Sequence, residues 1–179
     1  MADWTIDTAH SAVNFSVRHM MFGKTRGQFN RWQGQLTLVP EELAKSSVEV
    51  SIDAASIVTG DEQRDNHLRS ADFLDVAKFP TLTFRSTRVE DFGEGKLRIW
   101  GDLTIHGATK SVVLEAEYGG QVKDPWGNTR AGFSARTSID RTDFGLKWNL
   151  ALEAGGIVVG NKVEIEIEVE TVQAAAKAA

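Results

Sequence analysis

VEIEIEVE, residues Val163–Glu170, alternates β-branched and acidic side chains without a break. Successive side chains of an extended strand point to opposite faces, so Val163, Ile165, Ile167 and Val169 share one face and the four glutamates the other. The same period of two runs through most of the chain. Val13, Phe15 and Val17 stand against Ala12, Asn14, Ser16 and Arg18 in a strand from His10 to His19. Thr25 to Val39 reads as one long strand, with Gly27 and Gly34 marking bulges or bends. Val48, Val50, Ile52 and Ala54 form another apolar face. Leu82–Phe92 and Lys96–His106 read as a hairpin around Gly93-Glu94-Gly95, with Leu97, Ile99, Leu103 and Ile105 on one side and Gly101 between them. Trp100 has the opposite parity, so it faces outward or marks a bulge. Ser111–Tyr118 returns, Asp124-Pro125-Trp126-Gly127-Asn128 turns, and Ala131, Phe133, Ala135, Thr137 and Ile139 make the next inward row.

About eight long antiparallel strands joined by tight turns define an all-β domain, either a sandwich or a closed barrel. Closure removes the exposed edges that strands this long would otherwise present. An eight-stranded barrel is filled by its side chains or holds one small ligand, and the size of the inward residues decides which. Ala54, Gly101, Ala131, Ala135 and Thr137 are small, which predicts an apolar cavity suited to a lipid. Phe15, Trp32, Phe84 and Phe133 fall on inward parities.

One segment breaks the pattern: TGDEQRDNHLRSADFLDVAKFPTLTF, residues Thr59–Phe84. Thr59 and Glu62 have the spacing of a capping box, and the residues after them lack Pro and β-branching, so a short helix is expected. Phe79-Pro80 then restores extended backbone. A short helix trailing Phe73, Leu74 and Phe79 reads equally as a lid over one end of a barrel or as a connection that caps its core.

The 179 residues fit one domain, expected over 1–172, with 173–179 as a flexible Ala-rich tail. A hydrophobic fraction of 41% with five Trp supports a substantial core. A net charge of −5 argues against a general nucleic-acid binder. The absence of cysteine excludes disulfides and thiolate chemistry. No apolar run approaches the length of a membrane helix, so an integral membrane protein is not expected. The N-terminus has no basic and apolar leader pattern, which predicts a cytoplasmic location, or a periplasmic one if a leader has been removed.

Four histidines are present, yet no His-x-His or His-Glu-x-x-His spacing occurs, and neither metal nor cofactor is expected. The glutamates of 164–170 form a solvated outer row. No nucleophile elbow or phosphate loop is found. From Asp7 to Glu41 no acidic residue intervenes, while Arg18, Lys24, Arg26 and Arg31 do. This basic hairpin is a candidate for a phosphate-bearing head group, or else an ordinary solvated surface balanced by neighbouring acids.

DTAHSAVNFSVRH, GQFNRWQG, the Thr59–Phe84 segment, GDLTIHGATKSV, DPWGNTRAGFSA and RTDFGL followed by VGNKVEIEIEVE together resemble the YceI-like family, in order from Asp3 to about Val169. The resemblance implies a single extended eight-stranded lipocalin-like barrel with one short helical lid, holding a polyisoprenoid or fatty-acyl-type lipid, non-enzymatic and often a homodimer. With strand parity, it places Val13, Phe15, Val17, His19, Trp32, Phe73, Leu74, Phe79, Phe84, Leu103, Phe133 and Ala135 as expected ligand contacts. Two alternatives stay open: an enzyme using His10, His19 or His106 on a bound lipid, and a filled barrel acting through its outer surface.

Overall fold

The structure is a computed structural model that describes residues 2–20, 22–150 and 158–173. Among the described residues, eleven strand segments form one antiparallel sheet: β1 (Ala2–Ile6), β2 (Ala12–His19), β3 (Gly23–Phe29), β4 (Trp32–Leu38), β5 (Ser47–Asp53), β6 (Ile57–Val58), β7 (Thr81–Asp91), β8 (Lys96–Ile105), β9 (Ala108–Lys123), β10 (Thr129–Asp140) and β11 (Val159–Gln173). The order β1-β4-β5-β7-β8-β9-β10-β11 closes through a β1–β11 pairing into a barrel of eight strands. The remaining segments extend this ring. β1 pairs the last residues of β11 while β2 pairs Val159 to Glu168, so β1 and β2 act as one interrupted stave. β3 with β4 and β5 with β6 are interrupted in the same way, β3 pairing β2 and β6, and β4 pairing β1 and β5.

These interruptions correct the expectation of one strand from Thr25 to Val39. The chain breaks at Asn30-Arg31, level with a 3-10 turn, Ala54–Ser56, in the neighbouring stave. Ala54 is fully buried in that turn. Arg31 O accepts from Asp53 N at 2.9 Å and Asn30 N donates to Ser56 O at 3.2 Å, so both staves kink together. Gly27 and Gly34 are not bulges. A Cβ at Gly27 would overlap the Phe15 ring, and one at Gly34 would press Ile6.

At the β6 edge the sheet gives way to helix α1 (Glu62–Arg69) and the loop that follows it. The helix cap also differs from expectation. Asp61, not Thr59, accepts from Arg64 N at 3.0 Å, while Asp65 takes both the Thr59 amide and its hydroxyl. Asp65 is the stronger acceptor and draws Thr59 out of capping position. Arg69 donates to Ala55 O at 2.7 Å and Ile57 O at 2.8 Å, filling acceptors that a further strand would otherwise take.

Two separate cores close the tube. One gathers Ala54, Ile57, Leu74, Leu82, Ile105, Phe144 and Leu146; the other gathers Trp4, Leu38, Leu43, Leu97, Ala116 and Ala131. Leu97 and Ile105 lie eight residues apart on β8, about 26 Å at the usual rise of a strand. The first core lies at the lid end and the second at the end holding β1.

Near the β1 end, Arg130 ties three elements. Nη1 donates to Asp7 at 2.9 Å and Glu170 at 2.6 Å, and Nε to Asp124 at 2.8 Å. Arg130 holds the largely covered Asp124 down to about 2 from 3.8, with backbone donors from Asn128 and Trp126 assisting. Asp7 is lowered too, first by His10 and then by Arg130. Because these carboxyls titrate lower in the folded chain, their contribution is complete above the ordinary value of 3.8 and is lost as pH falls toward 2. Melting temperature measured across that interval is therefore expected to fall. Arg130→Met should flatten the fall, and an unchanged slope would show that Arg130 does not bind these carboxylates.

Candidate functional site

Between the two cores the barrel is hollow. A cavity of about 280 Å³ runs along the axis, and its accessible wall is entirely apolar. The inward residues of the long strands, among them Val17, Val50, Phe84, Ile165 and Val169, are only half-buried, because they face this space rather than one another. Among the polar side chains bordering it, Thr137 and Ser46 turn their hydroxyls to the backbone. Thr137 donates to Val113 O at 2.8 Å, and Ser46 accepts from Val39 N at 3.0 Å. An apolar cavity of roughly 150 Å³ already stays dry and admits benzene, so this one favours hydrocarbon over water.

Two glycines keep the bore open. Phe15 lies across Gly27, its β3 partner, and Phe84 lies over Gly101. The rings therefore line the wall instead of crossing the axis. Gly27→Ala is expected to tip the Phe15 ring into the bore, at a cost of about 1–2 kcal/mol in stability. Chemical denaturation and ligand titration measure the two effects, and intact capacity would contradict the arrangement.

Of the twelve expected contacts, Val13, Phe15, Val17, Trp32, Phe73, Leu74, Phe84, Leu103, Phe133 and Ala135 border the cavity. Two do not. His19 is exposed at the end of β2, and Phe79 packs on the His106 ring at 4.7 Å. The small-residue inference also needs correction. Ala54 and Ala131 are packed inside the end cores, Phe84 covers Gly101, and only Ala135 and Thr137 border the space.

The four head-group candidates stand on the outside of the wall. Lys24 pairs with Glu164 at 3.1 Å and lowers its carboxyl below the usual range, while Arg31 pairs with Asp53 at 2.7 Å. Arg18 donates to Phe22 O at 3.3 Å, and Arg26 is exposed. Their outward direction separates them from the bore, and Trp100 likewise faces out, under Arg88.

Sequence reasoning missed the second half of the lid. After β10 the chain turns through Arg141–Phe144 and crosses the barrel end, where Leu146 borders the cavity. Trp148 meets His67 at 4.6 Å and Phe73 at 5.3 Å, joining this connection to the α1 segment. Arg141 is only 3% exposed. It donates to Gly160 O at 2.8 Å, Leu146 O at 2.6 Å, Trp148 O at 3.0 Å and Val159 O at 3.2 Å. Burial pulls its pKa down from the ordinary arginine value, partly offset by Asp140.

Asp7, His10 and Glu170 bring ligand atoms within 4.8 Å of one another, an arrangement that could hold a cation. The guanidinium of Arg130 already bridges the two carboxylates. A metal would have to displace it.

A closed antiparallel barrel of eight strands around an apolar cavity, lidded at one end by a short helix, is a lipocalin-like barrel. The chain belongs to the YceI-like family, whose domain matches residues 4–171. A UPF0312 protein of Vibrio cholerae is 43% identical over 176 residues, covering 96% of this chain and 88% of that protein. The crystal structure of Burkholderia cenocepacia BcnA superposes with a TM-score of 0.81 at 24% identity, covering 92% of this chain and 98% of the other. A polyisoprenoid binding domain from Saccharophagus degradans shares the fold at a TM-score of 0.69 and 13% identity, over 97% of this chain and 100% of that domain.

Proposed function

We propose that this protein binds the hydrocarbon chain of an isoprenoid or similar amphiphilic lipid inside the barrel and carries it unchanged. The observation that carries the reading is the wall: about 280 Å³ of space inside the barrel with no polar surface. Nothing in such a bore can hydrogen-bond a head group, so a ligand's polar end stays outside and the chain alone enters. Each methylene removed from water contributes about 0.8 kcal/mol, so a few isoprene units suffice for tight binding. The polyisoprenoid-binding activity of the Saccharophagus degradans domain supports this choice through shared fold.

The enzymatic alternative needs a base at the bore. None of the four histidines borders it among the described residues: His10 bonds Asp7, His67 bonds Asp72, His106 rests against Phe144 O, and His19 is exposed. The filled-barrel alternative does not match the hollow interior.

Trp32 borders the bore and reports occupancy. Titrating delipidated protein with farnesol should change its intrinsic fluorescence saturably, and Trp32→Phe should lose that signal. A linear, non-saturating response would reject the proposal. Recovery of a chemically altered lipid after incubation would favour the enzyme.

A further inference from the structure

Lipid carriage leaves one surface without a role: the β2–β3 turn at the lid end. Phe22 there is 88% exposed, and Met20 is exposed beside it. Met20 N donates to Val158 O at 2.7 Å and Val158 N to Leu150 O at 3.1 Å, which brings exposed Leu150 alongside. Three large apolar side chains thus project from one end of the barrel. Single exposed apolar residues are ordinary, whereas a group of them marks a contact surface.

Behind this tip the outer face of the β2–β3 hairpin is basic. Arg18 and Lys24 face each other across β2 and β3, Arg26 follows on β3, and Lys162 stands on adjoining β11. Among the described residues, Glu164 is the carboxylate that pairs with this group, bonding Lys24 and lying 3.8 Å from Lys162. Farther along β11 the outward row turns acidic at Glu166, Glu168 and Glu170, toward the opposite end. That end also exposes apolar residues, with Trp126 at 81%, but there the charges are mixed, Asp124 pairing with Arg130 at 2.8 Å and Glu115 with Arg98 at 2.9 Å.

We infer that the tip carrying Met20 and Phe22, with Arg18, Lys24 and Arg26 behind it, docks on an anionic lipid bilayer. Apolar side chains entering the head-group region beneath a collar of cations is the arrangement of a reversible, interface-bound protein. Cations near the surface attract anionic lipids, and the acidic far end of β11 is repelled, so the barrel stands with its lid end toward the bilayer. The α1 segment and the Arg141–Leu150 connection lie at that same end, where a chain could pass directly between membrane and bore. This surface is separable from the bore, because binding of farnesol is read in solution without vesicles.

The test is flotation of full-length protein with phosphatidylcholine vesicles, with and without phosphatidylglycerol. Wild type should float with the anionic vesicles and be released by salt. Phe22→Ser should weaken binding roughly tenfold or more. Each of Lys24→Glu and Arg26→Glu should weaken it at least roughly fivefold, and Trp126→Ser should change nothing. All four positions are exposed, so unchanged melting temperatures keep the comparison clean. Equal binding to neutral vesicles, no binding to either kind, or a loss confined to Trp126→Ser would each overturn the inference.

Discussion

Ala135→Phe is expected to lower affinity for a bound hydrocarbon chain by roughly a hundredfold while the barrel folds as before. Ala135 sits on β10 between Ala116 of β9 and Ile167 of β11, with its side chain bordering the bore. An aromatic ring there takes space from a cavity of only about 280 Å³. Excluding about four methylenes removes about 3 kcal/mol of burial, and each 1.4 kcal/mol is tenfold in affinity. In a packed core the same substitution would cost about 1–3 kcal/mol through forced rotamers. In a hollow one it fills space, so melting temperature should hold steady or rise. Isothermal titration with farnesol, paired with thermal melting, reads both quantities. Retained affinity with a large loss of stability would mean a solid interior at this level.

Arg141→Ala should produce the largest loss of stability. The guanidinium is buried and satisfies four backbone carbonyls, two in the connection that crosses the lid end and two at the start of β11. Removing it strands acceptors away from water, for which about 3–5 kcal/mol is expected. In a chain of this length that lowers the melting temperature by about 10 °C. Arg141→Lys should recover little, because one ammonium cannot span donors that diverge over four carbonyls. The lid should loosen along with the fold, so release of a bound chain should accelerate even below the melting transition. A change of only a few tenths of a kcal/mol would show that the connection is held by Asn149, which bonds Val159 at 2.7 and 3.1 Å, rather than by Arg141.

The barrel was legible because its chemistry is local. Alternation in VEIEIEVE and in the strand of Val13, Phe15 and Val17 assigns inside and outside with no knowledge of partners. That parity alone placed Phe15, Trp32, Phe84 and Phe133 on the bore. Register was not legible. The pairing of Phe15 with Gly27 depends on how β2 meets β3, so a glycine that accommodates a ring reads in sequence as a bend. Strand β1 escaped notice because its five residues are fixed by pairing with β4 and with the far end of β11, not by their own pattern. Ala54 and Ala131 show the limit of counting small residues, since a small side chain leaves space only where its neighbours do not already fill it. Arg141 carried no local mark of burial. An arginine beside an aspartate reads as surface, and only the fold turns it toward four carbonyls.

The central claim is that the axis of this barrel is space for a hydrocarbon. Native mass spectrometry of protein purified without detergent tests it most directly, comparing wild type with Ala135→Phe. The expected result is a noncovalently held, chloroform-extractable lipid on the wild type that is absent or much reduced on the variant. Apo wild-type protein that also fails to take up added farnesol, or a lipid held equally well by both proteins, would contradict it.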